Sequence, residues 1–222
     1  MPDLSPTIDG VGIKLGSTWA NTVGDGTTAA GMNTTAAHDN TGINAIDLSA
    51  FGATQVERYY AEFDTSGVTS SPESATFKIY GKSNGAAGVI CVQASFASAG
   101  ALVTGDWDSW NESSPVTYTD GIDAGSWNTS GYNTFTLTAA ALSAMVSLDE
   151  FQMICLEKDN DYDQSSAGSG LSIASGFYTQ DDTSASRRPV LSYTEPAAPP
   201  AQQPIKILSG NMSILSGKAI IK

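Results

Sequence analysis

Three aspartates at alternate positions form the sharpest candidate site for chemistry. Asp159, Asp161 and Asp163 stand at i, i+2 and i+4 in the segment EKDNDYD. Alternate residues of a tight loop can turn their carboxylates toward one hard cation, so this spacing resembles the start of a calcium loop. The segment lacks the glycine and the glutamate that complete an EF-hand, which excludes that motif. The alternative to a Ca²⁺ site is a solvated acidic loop at the end of a strand.

A second candidate site is an aromatic platform for a sugar. Asp106, Trp107 and Trp110 lie close together in the sequence, and Trp127 follows. Aromatic rings can stack on the C–H faces of a sugar, while carboxylates accept hydrogen bonds from its hydroxyls. The alternative is that these tryptophans fill the core or an interface, which is the commoner role of large aromatic side chains.

Residues for the common kinds of catalytic site are sparse. His38 is the only histidine and lies in a low-complexity stretch, which argues against Ser–His–Asp and Cys–His chemistry. The glycine-rich run Gly24–Gly31 lacks the lysine of a phosphate-binding loop. Paired carboxylates could hydrolyse glycosides, but among 23 acidic residues chance pairs are unavoidable. We therefore predict that the protein is not an enzyme and needs no cofactor, apart from Ca²⁺ at the candidate loop.

Charge and hydropathy limit the partners. The formal net charge is −13, and an acidic chain argues against binding to nucleic acid. No apolar run approaches the ~18 residues of a membrane span. The N-terminal sequence lacks the basic and apolar regions of a secretory signal, so we expect synthesis in a cytoplasm. Arg187 or Arg188 should pair with a nearby carboxylate, Asp181 or Asp182.

The two cysteines, Cys91 and Cys155, each lie inside an apolar run that is typical of a strand. Two buried free thiols are the simpler interpretation. A disulfide would require that the two strands be neighbours with suitable Cβ geometry, which the sequence leaves open.

The run Arg58–Tyr80 predicts two strands around one exposed connection. Residues of Tyr60–Asp64 alternate between polar and apolar, which is typical of a strand with one packed face. Thr65–Ser74 is rich in turn residues, and Ala75–Tyr80 alternates again. We expect these two strands to form a hairpin-like pair against which the other strands lie.

The rest of the chain predicts more strands and one helix. Short alternating runs separated by turn-rich segments indicate an antiparallel sandwich. Thr138–Leu148 is the exception, because its apolar residues recur at helical spacing after Thr138, a suitable N-cap. The predicted fold is an all-β, antiparallel, jelly-roll-like β-sandwich with one short helix.

Composition divides the chain into four segments. These are an extended N-terminal arm (1–40), the sandwich (41–195), a Pro/Ala linker (196–204) and a C-terminal β-repeat tail (205–222) with a period of seven. An apolar two-stranded element is marginal alone and hazardous at an open edge, so the tail should pair with its own body, a second copy or another protein. A floppy terminus is the alternative. The candidate assembly residues are Ile207, Leu208, Ile214, Leu215, Ile220 and Ile221.

Three segments carry a resemblance to a known family: YAEFDTSGV (Tyr60–Val68), SATFKIYG (Ser74–Gly81) and SGFYTQDDTSASRRPVLSYTE (Ser175–Glu195). They resemble the core strands of DNRLRE-type β-sandwich modules, over about residues 40–195, although the motif that gives the family its name does not occur. The resemblance implies a jelly-roll-like fold. It also implies either carbohydrate-binding adhesion or a role in a phage virion.

The arm, the tail and the missing signal favour the phage branch of this resemblance. We therefore expect a virion structural protein, in a capsid decoration or a tail fibre, whose partners are itself and other virion proteins. A homo-oligomer such as a trimer would hide the edges of the tail. The alternative is a carbohydrate-binding adhesion module that contacts a host-surface glycan. A polysaccharide-active enzyme is a third hypothesis.

Overall fold

A computed structural model gives the fold over residues 1–23, 31–33, 42–48, 53–97, 100–166 and 171–197. Within these ranges, 3₁₀ turns lie at Thr104–Asp108 and Ala185–Arg187, a π-helical turn lies at Lys158–Tyr162, and the helices are α1 (Trp19–Val23) and α2 (Ala139–Ser147). The strands are β1 (Asp3–Leu4), β2 (Ile8–Gly16), β3 (Gly31–Asn33), β4 (Ile43–Leu48), β5 (Ala53–Asp64), β6 (Ser74–Gly85), β7 (Val89–Gln93), β8 (Tyr132–Thr136), β9 (Glu150–Glu157), β10 (Leu171–Phe177) and β11 (Val190–Thr194).

One layer of the sandwich is an antiparallel sheet in the order β8, β6, β11, β1. At its centre, Phe77 of β6 is the register partner of Phe135 in β8 and of Leu191 in β11. Register partners project from the same face of a sheet. These three side chains therefore form one row, and all of them are buried in the main core.

The other layer is organised around β5. Strand β2 pairs along one edge of β5, from Ile8↔Glu62 to Gly16↔Thr54. The opposite edge is divided between β4, which pairs with the first half of β5, and β9, which pairs with the second half. Beyond these, β3 pairs with β2 and β7 pairs with β9. Strand β10 pairs with both β4 and β6, so hydrogen bonding continues from one layer into the other.

These two layers confirm the predicted all-β antiparallel sandwich, but the predicted hairpin within Arg58–Tyr80 is wrong. Strands β5 and β6 exist, yet they lie in opposite layers and have different partners. The connection crosses between the layers from Thr65, whose backbone N donates to Asp149 O at 2.8 Å. β5 and β6 meet through the core, where the ring centroids of Phe63 and Phe77 are 6.1 Å apart. Alternation identifies the packed face of a strand and leaves its edge partner open.

The sandwich begins near residue 3, so the predicted boundary of the arm is wrong for residues 3–16. Strand β2 pairs with β5 along its whole length, so this stretch belongs to the sandwich. At Gly12, an added Cβ would lie 2.7 Å from Cε2 of Tyr60. A glycine here allows the tyrosine ring to lie against the β2 backbone, which is a known use of glycine within strands. Residues 24–30 and 34–40 of the arm lie outside the described ranges.

Both faces of the β5 layer are covered. The inner face carries Tyr59 and Phe63 into the main core between the layers. The outer face carries Tyr60, which packs in a second core beneath residues 94–97 and 100–116, hereafter the cover segment. Strand β7 ends at Gln93, and the apolar residues at alternate positions in and after it all lie in this second core: Ile90, Val92, Ala94 and Phe96.

The predicted helix is confirmed with its cap. Helix α2 spans Ala139–Ser147, and the Thr138 side chain accepts a hydrogen bond from the N–H of Ala141. Met145 and Ala141 are fully buried in the main core. A helix this short is held by such packing more than by its own propensity.

Candidate functional site

The site is built around Arg58, which β5 places on its outer face and which is fully buried. Its Nε and Nη2 donate to Asp161 Oδ2 and Oδ1 at 2.9 and 2.7 Å. Its Nη1 donates to the carbonyl oxygen of Trp107 at 3.0 Å. All three guanidinium nitrogens therefore have an acceptor, which is the condition under which a buried ion pair is tolerated.

Two tryptophans of the cover segment lie against the same guanidinium. Arg58 Cζ is 3.9 Å from the Trp107 ring centroid and 5.4 Å from that of Trp110. Trp110 in turn stacks on Tyr162, with centroids 6.5 Å apart. A desolvated cation over an aromatic face contributes about 2 kcal/mol in favourable cases. Arg58 thus joins a central strand, the cover segment and the turn after β9.

Asp106 fixes the shape of the cover segment. This fully buried carboxylate accepts from Ala97 N through Oδ1 at 2.7 Å and from Val103 N through Oδ2 at 2.8 Å. Bonds from backbone N–H groups to a carboxylate are stronger than neutral ones. These two hydrogen bonds therefore hold the backbone of the cover segment in the conformation that places the Trp107 ring against Arg58.

Glu157 fixes the turn that carries Asp161. Its carboxylate accepts from the backbone N–H groups of Asp159, Asn160 and Asp161 at 3.0, 2.7 and 3.2 Å. Burial raises the pKa of Glu157, while these hydrogen bonds act in the opposite direction. The N–H groups at the start of the π-helical turn are thereby satisfied, so the turn holds the Asp161 carboxylate in line with Arg58.

The charges of the site reinforce each other. Burial alone would lower the pKa of Arg58, but the negative charge of Asp161 and its hydrogen bonds raise that pKa above the usual value. Burial raises the pKa of Glu112 in the cover segment, although the nearby Arg58 cation lowers it. Arg58 is therefore a permanent cation, and the nearby carboxyl groups of Asp161 and Glu112 interact with its charge.

A separate buried polar unit ties β2 to β5 and to the loop after β10. Asp9 Oδ2 accepts from the Tyr59 hydroxyl and from the backbone N–H of Gln180, each at 2.9 Å. Burial raises the pKa of Asp9 to about 6, and the charge of Asp181 adds to the effect. This buried carboxyl therefore changes protonation state near pH 6.

The predicted sugar platform is contradicted by burial. Asp106 and Trp107 are fully buried, and Trp110 and Trp127 are each 5% exposed. Trp127 is also remote from the Arg58 site, since it packs in the main core and donates from Nε1 to Gly176 O at 3.0 Å. Buried rings offer no face to a sugar, so the alternative of core packing is the correct interpretation.

The predicted calcium loop is also contradicted. Asp161 is committed to Arg58, while Asp159 and Asp163 are exposed. The turn therefore points its acids in different directions. Within the described residues, no group of three or more His, Cys, Asp or Glu side chains could hold a metal ion.

Two open grooves border the cover segment. One has a volume of about 560 Å³ and lies between this segment and the start of β9, with Gln93, Ser95, Glu150 and Gln152 in its lining. The other has a volume of about 210 Å³ and lies beside Trp110 and Asn111. The two grooves share Gln93, Ala94 and Ser95.

Sequence reasoning missed the pairing at the centre of this site. Arg58 stands inside a strand among aromatic residues, and a cation at such a position requires a buried acid. That signal was available, but the identity of the acid was not. The assembly residues of the tail, from Ile207 to Ile221, lie outside the described ranges, and so does His38.

Comparison with known proteins gives no match, either to a protein-family model or to a curated protein. The resemblance to DNRLRE-type modules therefore stays a prediction. Among the described helices, none has the length and apolarity needed to cross a bilayer.

Proposed function

We propose that this chain is a structural protein of a phage particle, which joins neighbouring subunits through a sheet edge and its terminal segments. The sandwich is the rigid body in this proposal. The site at Arg58 serves that body, because it fastens the cover segment and the turn after β9 to the central strand. Its guanidinium and the Asp161 carboxylate bind each other, so both are engaged in holding the fold.

The observation that carries the proposal is the position of the two ends of the described chain. Strand β1 pairs with β11 through Asp3↔Ser192 and Leu4↔Leu191. Ala197 N donates to Glu73 Oε1 at 3.3 Å, one residue before β6. The N-terminal residues, in the two-residue edge strand β1, and residue 197, beside the start of β6, therefore lie at the same end of this sheet, on opposite sides of β11.

This position supports assembly by strand addition. The tail follows residue 197, which comes just after β11, the strand that pairs with the short edge strand β1. The seven-residue repeat of apolar and glycine residues in the tail is typical of short strands. A short edge strand such as β1 leaves backbone groups of its sheet within reach of another chain. Main-chain hydrogen bonds would give such a contact its affinity, and the alternating side chains would give it specificity.

The experiment compares three full-length chains by sedimentation velocity. The tail variant carries Ile207→Asp, Ile214→Asp and Ile221→Asp, and the matched control carries the same added charge at Ser209, Ser213 and Ser216. We expect the natural chain and the control to be oligomers and the tail variant to be a monomer with an unchanged circular dichroism spectrum. A monomeric natural chain, or a tail variant with the natural oligomeric state, would overturn the proposal.

Carbohydrate binding remains the second candidate function, and it now has a different location. The 560 Å³ groove has a lining of amide, hydroxyl and carboxylate side chains that can hydrogen-bond to sugar hydroxyls. A glycan array tests this candidate directly. Binding that is lost on a change at the exposed lining residue Glu150, Glu150→Ala, would favour it, whereas no binding by the folded chain would remove it.

A further inference from the structure

The two cysteines face each other across neighbouring strands. Cys91 of β7 and Cys155 of β9 are register partners, and both are fully buried. Their Sγ atoms are 2.9 Å apart. The pair lies in the main core between the two layers. An inference about these cysteines is therefore independent of the assembly proposed for the sheet edge and the tail.

The backbone geometry at this position suits a bond between them. Cys91 N donates to Thr119 Oγ1 at 3.1 Å, and Cys91 O accepts from Tyr118 N at 2.8 Å, so both groups point away from β9. The cysteines therefore occupy a non-hydrogen-bonded pair of the β7–β9 ladder, where opposite Cα atoms are about 4.5 Å apart. This separation falls within the range of about 4.4 to 6.8 Å that disulfides span.

We propose that Cys91 and Cys155 form a cross-strand disulfide when the chain folds in the presence of a small-molecule disulfide such as oxidised glutathione. One cysteine thiolate attacks the small disulfide, which gives a mixed disulfide and releases one glutathione thiolate. The second cysteine thiolate then attacks the protein sulfur of the mixed disulfide and releases the second glutathione. The two protein thiols lose two protons and two electrons, and the oxidant gains them as two thiols.

Because both thiols are buried in the folded protein, the reaction must take place before folding is complete. In the folded protein, burial raises the pKa of the Cys155 thiol far above its ordinary value, and contact with Cys91 adds to this effect. A buried thiol is a poor nucleophile and is closed to glutathione, whereas both thiols are accessible before β7 and β9 pair. The same burial protects the completed bond from reductants.

The bond would tie β7 to β9 across 64 positions of the sequence. A link of this length removes many conformations from the unfolded chain and stabilises the folded one. For a chain of this size we expect the melting temperature to rise by about 5–15 °C.

The test refolds the full chain from urea in a glutathione redox buffer and, in parallel, in a reductant. We expect the oxidised product to be a species whose mass is lower by two hydrogens, with a peptide pair that joins Cys91 to Cys155. Its melting temperature should exceed that of the reduced product, and a reductant added to the unfolded protein should abolish the difference. Cys91→Ala and Cys155→Ala chains are the controls: each has one thiol and cannot form the internal bond, so neither should gain melting temperature in the oxidising buffer.

Three outcomes would overturn the proposal. The first is a folded product from the oxidising buffer that still has two thiols available to alkylation after denaturation. The second is disulfide formation between chains instead of within one. The third is an internal bond that lowers the melting temperature, because the native ladder would then not accommodate the link.

Discussion

Arg58 and Asp161 are 103 positions apart in the sequence, yet two parallel hydrogen bonds join their fully buried side chains. This pair connects the central strand of one layer to the turn after β9. The Trp107 ring lies against the guanidinium, with its centroid 3.9 Å from Arg58 Cζ. The outer face of the β5 layer is therefore closed by a polar clamp in addition to apolar packing.

Removal of one partner of this pair should be severe. Arg58→Met leaves the Asp161 carboxylate buried without its cation, which costs about 3–5 kcal/mol in comparable sites. Urea unfolding, followed by circular dichroism, measures the loss. As a control, Arg187→Met breaks the partly exposed pair with Asp182 and should cost about 1 kcal/mol or less.

Removal of both partners should be milder than removal of one. In Arg58→Met/Asp161→Leu no buried charge is left without a partner, so we expect the double variant to be more stable than Arg58→Met. Strictly additive effects of the two substitutions would contradict direct coupling between these side chains.

Glu157 should be required for the turn that holds Asp161. Glu157→Ala leaves three backbone N–H groups without their acceptor, so we expect the free energy of unfolding to fall by about 2–4 kcal/mol. Glu157→Gln keeps an acceptor oxygen and the side-chain shape, and its loss should be smaller. Equal losses in the two variants would show that the carboxylate oxygens are not what holds the turn.

Asp9 should make stability depend on pH. Because its pKa rises from 3.8 to about 6 on folding, the folded protein keeps a proton that the unfolded chain releases between these values. The free energy of unfolding should therefore decrease as pH rises from about 4 to about 6, by up to about 3 kcal/mol from this group. Chemical unfolding at several pH values measures the slope. Asp9→Asn should remove this contribution and the exposed Asp120→Asn should retain it, so an unchanged slope in Asp9→Asn would exclude Asp9 as its source.

The tryptophans should matter for stability and not for sugar binding. Trp107→Ala removes a fully buried ring that packs on Arg58, so we expect a loss of about 3–5 kcal/mol in the free energy of unfolding. Trp107→Phe should retain most of that stability and leave any glycan-array signal unchanged. A folded Trp107→Phe chain that loses glycan binding would restore the sugar platform.

Much of the fold was predictable because strand alternation and helix capping are local signals. The strands around Tyr60 and Phe77, and the helix after Thr138, follow from a few neighbouring residues each. The choice of edge partner is not local. Strand β5 pairs with β2, β4 and β9 and not with β6, because its partners are selected by packing across the whole sandwich.

The site was less predictable, for a related reason. Asp106, Trp107 and Asp161 were identified by residue type, and type alone suggested sugar or calcium. Their true partners are Arg58 and backbone N–H groups, which only the folded chain brings to them. A burial estimate would have separated the two interpretations, since a polar group inside a core must bind its neighbours.

The most direct test of the proposed function is quantitative mass spectrometry of virus particles, purified from a culture that carries the gene for this chain. We predict that the chain is recovered with the intact particles, in fixed ratio to the major capsid protein, and that it remains bound after a high-salt wash. Its recovery only in the soluble fraction of the lysate, with none in the purified particles, would contradict the account.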